Sequence, residues 1–133
     1  MITRRATLVT AAAFATAGTS FAPAAAATPG DLAGVKAAAL GATLRPHASA
    51  RTVGRVYLAH HAAEGDPITL LAAIEAAGEI GGCLAASPLD SAALARAVAE
   101  AVRDDYLCRR TIRLDGWVLA RTEARLCALT ALA

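Results

Sequence analysis

The fold class this sequence predicts is mainly α: a small helical domain of about four to five helices with a short β-hairpin, about Thr111–Leu119, before the last helix. Three observations carry that expectation. Two helix starts are spelled out: Asp66-Pro67 pairs a capping side chain with a proline at the first helical position, and Ser87-Pro88-Leu89-Asp90 opens the longest periodic stretch. Within that stretch Leu94, Val98, Ala101, Val102 and Tyr106 recur at helical spacing, while Arg96, Glu100, Arg103 and Asp104 take the other side. Near the C-terminus the pattern switches to Thr111-Ile112-Arg113-Leu114, Asp115-Gly116, Trp117-Val118-Leu119, and Asp-Gly favours the type I′ turn that joins two strands.

Taken in order, Met1–Ala27 reads as a cleavable export signal. Arg4 and Arg5 charge its start, Ala6–Ala17 is apolar, and small residues from Ala22 to Ala27 surround Pro23. The apolar run is too short and too weak to span roughly 30 Å of hydrocarbon. Residues 28–133 then form a single small helical domain, with Ala24–Gly30 expected as a linker. A first helix is expected from Asp31, with Leu32, Val35, Ala39 and Leu40 near helical spacing and Gly34 and Gly41 weakening it. Pro46 interrupts the chain.

A second helix is expected from Ser49, as N-cap, to His61. Val53, Val56, Tyr57 and His60 share one face there, and Arg51 and Arg55 lie off it. The third opens at Asp66-Pro67, offers Leu70, Leu71, Ile74 and Ala77 to the core, and ends among Gly78, Gly81 and Gly82. The fourth spans Ser91–Cys108. In the hairpin Leu114 is expected opposite Trp117 and Ile112 opposite Leu119, four apolar side chains on one face. The last helix covers about Arg121–Leu132, with Leu126, Leu129 and Leu132 inward and Glu123 and Arg125 as surface charges.

Thr3-Arg4-Arg5-Ala6-Thr7-Leu8 resembles the twin-arginine motif that addresses folded proteins for export. Thr3, Arg4, Arg5 and Leu8 fit; Thr7 and Val9 stand where Phe and Lys are usual. The chain also looks like the small signal-bearing accessory subunits of bacterial membrane-associated dehydrogenases, a likeness of signal and layout with no motif in the remaining domain. The resemblance implies a periplasmic or secreted protein that meets the twin-arginine export machinery and a larger partner such as an oxidoreductase subunit.

Charge and composition narrow the function further. Without Arg4 and Arg5, 13 basic residues become 11, which face 11 acidic ones, so nothing points to nucleic acid. In an oxidising compartment Cys83, Cys108 and Cys127 allow one bridge; Cys83–Cys108 is the candidate, and Cys127 reads as a buried small hydrophobe. Adjacent His60 and His61 point about 100° apart on a helix, a poor metal pair, and His47 is distant in sequence. Asp104-Asp105 reads as a solvated helix end near Arg103, Arg109 and Arg110, with an ion network reaching Arg113 and Asp115. Ser49, Ser87 and Ser91 sit in cap or turn contexts, and Gly78-Glu79-Ile80-Gly81-Gly82 lacks the lysine of a phosphate loop. No catalytic residue, metal or cofactor is therefore expected.

Trp117, the single tryptophan, is either a core anchor for the hairpin or a partner-binding anchor with Arg113 and Arg121 at its rim. The function these readings favour is an exported non-catalytic accessory or escort subunit of a periplasmic or membrane-associated redox enzyme. The alternative is a small periplasmic metal- or ligand-binding module built on His47, His60, His61 or the cysteines.

Overall fold

Capping side chains set where three of the described helices begin. The computed structural model describes residues 28–133; the expected export signal, with Thr3, Arg4, Arg5 and Leu8, lies outside the described residues. The elements run α1 (Pro29–Gly41), α2 (His47–His60), a 3₁₀ turn (Ala62–Glu64), α3 (Pro67–Glu75), α4 (Ile80–Ala85), α5 (Ser91–Leu107), β1 (Thr111–Leu114), β2 (Trp117–Ala120) and α6 (Arg121–Leu132). The mainly α domain with a hairpin before its last helix is thus observed. None of the described helices is long and apolar enough to cross a membrane.

Helix α1 starts ahead of Asp31 because Thr28 and Asp31 form a reciprocal capping box and Pro29 takes the first helical position. Thr28–Gly30 therefore belong to the helix start, not to a linker. Its inward stripe is Ala33, Ala37 and Leu40, spaced i, i+4, i+7, and this turns Leu32 and Val35 to solvent at 51% and 64% exposure. Lys36 anchors it to α3 through Glu75 at 2.6 Å.

Helix α2 begins at His47 behind Pro46, so Ser49 lies inside the first turn and caps nothing. Ala50, Gly54 and Tyr57 are buried, Val53 and Val56 are half-buried, and His60 is exposed. That rotation follows from Gly54. A Cβ there would stand 2.5 Å from the Cys127 carbonyl carbon, closer still to its oxygen, and 2.9 Å from Ala128 Cα. The backbones of α2 and α6 meet at this point. Ala50 and Gly54 on one helix face a similar small-residue stretch, Ala124 and Ala128, on the other.

The Asp66 carboxylate accepts from the Thr69 backbone N–H at 2.8 Å, and Pro67 opens α3 as expected, burying Leu70, Leu71 and Ile74. Beyond Gly78 the chain forms a further short helix, α4, which buries Ile80 and Leu84 and packs on α5. Asp90 caps α5 through the N–H groups of Ala92 and Ala93. Its buried line is Leu94, Ala97, Val98, Ala101 and Asp105. The expected stripe drifts by one position, leaving Val102 half-buried and Tyr106 exposed.

The hairpin has the expected register: Leu114 pairs with Trp117 and Ile112 with Leu119. Asp115 and Gly116 have φ of 45° and 87°, the two positive values that a type I′ turn requires. Helix α6 is the hub. It packs against α1, α2, α3, α5 and both strands, α2 most extensively, and every residue from Leu126 to Thr130 is buried. A helix enclosed on most of its sides cannot show a clean apolar stripe. Leu126 and Leu129 face the core as expected, whereas Leu132 at the last turn is exposed.

The three thiols are free, which corrects the expected Cys83–Cys108 bridge. Gly78, just before α4, sits against Ala101 of α5, and α4 then runs back toward the start of α5. Cys83 therefore lies along the first half of α5 while Cys108 caps its far end. Ala101 and Cys108 alone are separated by about 10 Å along the helix, and a disulfide needs Cα atoms within roughly 7 Å. Cys127 is buried, and burial, with Glu123 nearby, pushes its thiol up to about 11.

Candidate functional site

Trp117 is 74% exposed, which overturns the core-anchor reading of this residue. The register explains why. Of the four apolar side chains on the inner face of the hairpin, Leu114 is buried and Ile112 and Leu119 are half-buried against the helices. Trp117, beside the turn, is the one of the four left largely in solvent. Together with Val53, Val56, Leu114 and Leu119 it lines a groove of about 440 Å³ between α2 and the hairpin, with Asp115 at one end. A second depression lined by Leu44, Arg45, Pro46 and Ala50 shares Ser49, Val53 and Leu119 with the first and continues it along α2. The face is an apolar trough with an aromatic at its lip.

Arg113 and Arg121 do not join Trp117 in one patch. Arg113 pairs with Val118 across the hairpin, so alternation puts it on the opposite face from Leu114 and Trp117. Arg121, at the start of α6, lines a separate polar groove of about 380 Å³ with Glu79, Glu100, Asp104, Asp105 and Arg110. Strand period and a tight turn separate residues that lie within nine positions of one another.

That polar groove holds a group the sequence reading placed in solvent. Asp105 is 4% exposed. One of its carboxylate oxygens accepts from Arg110 Nε at 2.8 Å and the other from the Thr122 backbone N–H at 2.7 Å. Burial opposes ionisation, yet the Thr122 N–H and the Arg110 guanidinium outweigh it and hold the carboxyl below its usual value. Arg110 also pairs with Asp104. The Asp104–Asp105 pair is therefore half surface ion pair and half buried latch between α5, the hairpin and α6. The signal was the i, i+4 line Ala97, Ala101, Asp105 on the inner face of α5.

Arg125, expected as a surface charge, is likewise structural. Its Nε and Nη2 donate to Glu64 Oε2 and Oε1 at 3.0 and 2.7 Å, and the Tyr57 hydroxyl donates to Glu64 Oε2 at 2.5 Å. His61 stacks on Tyr57 with ring centroids 4.3 Å apart. This cluster joins α2, the 3₁₀ turn and α6. The bidentate Arg125 contact first, and the Tyr57 hydroxyl with it, lower Glu64 from about 4.5 to about 2 despite partial burial. A carboxylate depressed on folding contributes its stabilisation above its unfolded pKa and loses it as pH falls through the folded value. Stability is thus expected to decline between about pH 4.5 and 2. Glu64→Gln should cost about 1–3 kcal/mol at pH 7 and should flatten that decline, as read by denaturant midpoints at each pH. An unchanged acid slope in the variant would show that the pair contributes nothing.

The histidines are dispersed. His47 starts α2, His60 is exposed near its end, and His61 is occupied with Tyr57. Among the described residues no three His, Cys, Asp or Glu side chains converge as a metal site, and no buried side-chain polar atom lacks a partner. No protein-family model, curated protein or solved structure matches this chain.

Proposed function

We propose that this protein is an exported, non-catalytic accessory or escort subunit of a periplasmic or membrane-associated redox enzyme, and that it holds its partner on the face made by α2 and the hairpin. The observation that carries this reading is Trp117, 74% exposed at the lip of an apolar trough on a hairpin held against α2 and α6. An exposed tryptophan beside a preformed apolar depression is the usual anchor of a protein interface. The polar clusters of the domain support the same reading, because their charges are committed to holding elements together. The twin-arginine-like run Thr3-Arg4-Arg5 supports the exported location.

The test is affinity capture of the C-terminally tagged protein from periplasmic and membrane fractions of its native host, read by mass spectrometry. A stoichiometric flavin-, haem- or metal-containing enzyme is expected with the wild-type chain and is expected to be lost with Trp117→Ala. The variant should stay folded, within about 0.5 kcal/mol of wild type, because the side chain is mostly in solvent. Recovery of a lone monomer by the wild type overturns the proposal. Export is tested separately: Arg4→Lys with Arg5→Lys should retain the precursor in the cytoplasm, and undiminished export of that variant would remove the twin-arginine route.

A further inference from the structure

We infer that the apolar groove at the start of α1 is a dock for the chain's own N-terminal segment, which lays Phe21 and the small residues up to Ala27 into it. The full-length chain then covers a surface that a chain cut near Ala27 exposes. The inference goes beyond the accessory role and does not involve the trough beside α2.

The groove sits where the starts of α1 and α3 meet the end of α6. It has a volume of about 350 Å³, and its walls include Ala33, Gly34 and Ala37 of α1, Ile68 and Leu71 of α3 and Leu132 of α6. No side chain in its lining is polar or charged. Its floor belongs to the core, since Leu71 and Leu129 are buried there, but its rim does not: Ile68 is 64% exposed. Such a groove offers no hydrogen-bonding side chain and no counter-ion, so a charged or strongly polar occupant would lose its hydration without compensation.

The N-terminal segment meets that demand in three ways. It is uncharged, because after Arg5 the next ionisable side chain is Asp31. It is attached at the right place, because Thr28 is the N-cap of α1 and Gly30, two residues on, already lines the groove. It is also long enough. The groove follows α1 from Gly30 to Ala38, about 12 Å. The seven residues Phe21–Ala27 span about 23 Å when extended, enough to reverse at Thr28 and reach the far end.

Phe21 is the one large apolar side chain between Ala15 and Thr28, and Ala22 and Ala24–Ala27 are small enough to follow it against the α1 wall. Covalent attachment favours this occupant over any separate chain. A short linker holds the segment at an effective concentration on the order of 1 mM, so a contact too weak to retain a free peptide still forms. Arg4 and Arg5 lie well upstream of Phe21 and outside the docked stretch, which leaves them accessible to export machinery.

The test places a reporter in the segment of the full-length chain. Trp117 is the only tryptophan, so Trp117→Phe clears the background and either Phe21→Trp or Phe14→Trp adds a single probe. The Phe21→Trp protein is expected to emit further to the blue than the Phe14→Trp protein. Acrylamide should quench it about threefold less, the value for a segment docked roughly two-thirds of the time. Gly34→Glu should abolish that difference without lowering the melting temperature, because Gly34 is exposed and a Cβ there meets nothing within 4 Å. Ile68→Glu, at the exposed α3 rim, should do the same.

Equal quenching of the two probes overturns the inference, and so does shielding of Phe21→Trp that survives both charge substitutions. Shielding that fades on dilution also overturns it, because a second copy would then be filling the groove. Capture of a redox enzyme through Trp117 stands or falls separately from all of these outcomes.

Discussion

Gly54→Ala is expected to destabilise the protein by about 3 kcal/mol, with a fall in melting temperature of roughly 10–20 °C for a domain of this size. Helix propensity alone points the other way, since alanine is favoured over glycine in a helix interior by about 1 kcal/mol. The close approach decides the sign. The added methyl would lie 2.5 Å from the Cys127 carbonyl carbon and 2.9 Å from Ala128 Cα, and both are backbone atoms that no side-chain rotation can move aside. The two helices must separate instead, and α6 packs on every other large helix, so the shift spreads through the core. Gly34→Ala is the matched control. A Cβ there meets nothing within 4 Å, and the residue is exposed in α1. It should stabilise by about 0.5–1 kcal/mol. Chemical denaturation of the two variants measures both, and a neutral Gly54→Ala would mean that α2 and α6 do not touch backbone to backbone.

The second large effect is expected at Asp105. Asp105→Ala should cost about 2–4 kcal/mol, combining a buried donor left without a partner and the loss of a cap on α6. Ala120 occupies the N-cap position of α6 and has no oxygen on its side chain. The Asp105 carboxylate, carried by α5, accepts from the Thr122 N–H in its place. Asp105→Asn tests the charge separately: its single oxygen satisfies Thr122 or Arg110 but not both, so the variant should be intermediate. The pH dependence has a definite sign. Because the carboxyl is held below its ordinary value, its contribution is complete above the unfolded pKa of about 3.9 and disappears as pH falls through the folded value. The gap between wild type and Asp105→Ala should therefore narrow on acidification below about pH 4. A gap that stays constant to pH 2 would mean that the ionised form is not what stabilises the fold.

Both effects concern elements whose local sequence shows nothing unusual. Gly54 stands between Val53 and Arg55 in an ordinary helical stretch, and only the partner helix makes it irreplaceable. Asp105 resembles its neighbour Asp104 in every local respect. One faces solvent and the other is buried, because adjacent helix positions differ by about 100° and α6 covers only one of them. Arg125 and Glu64 are 61 positions apart, a separation at which sequence spacing carries no geometric information.

What the chain determined by itself is local. The Asp66-Pro67 and Asp90 helix starts, the Asp115-Gly116 turn and the pairing of Leu114 with Trp117 follow from hydrogen bonds and dihedral preferences within a few residues, and each is found where the sequence puts it. Hence the fold class was legible. Which face of each helix is buried was legible only where one side alone meets a neighbour. It failed for α1, whose Leu32 and Val35 face solvent, and in part for α2, α5 and α6, where His60, Tyr106 and Leu132 are exposed. The fate of Trp117 belongs to the second kind. Its position on a hairpin was readable, but its exposure depends on which helices the hairpin meets, and those contacts join residues far apart in the chain: Trp117 shares its groove with Val53 and Val56 of α2.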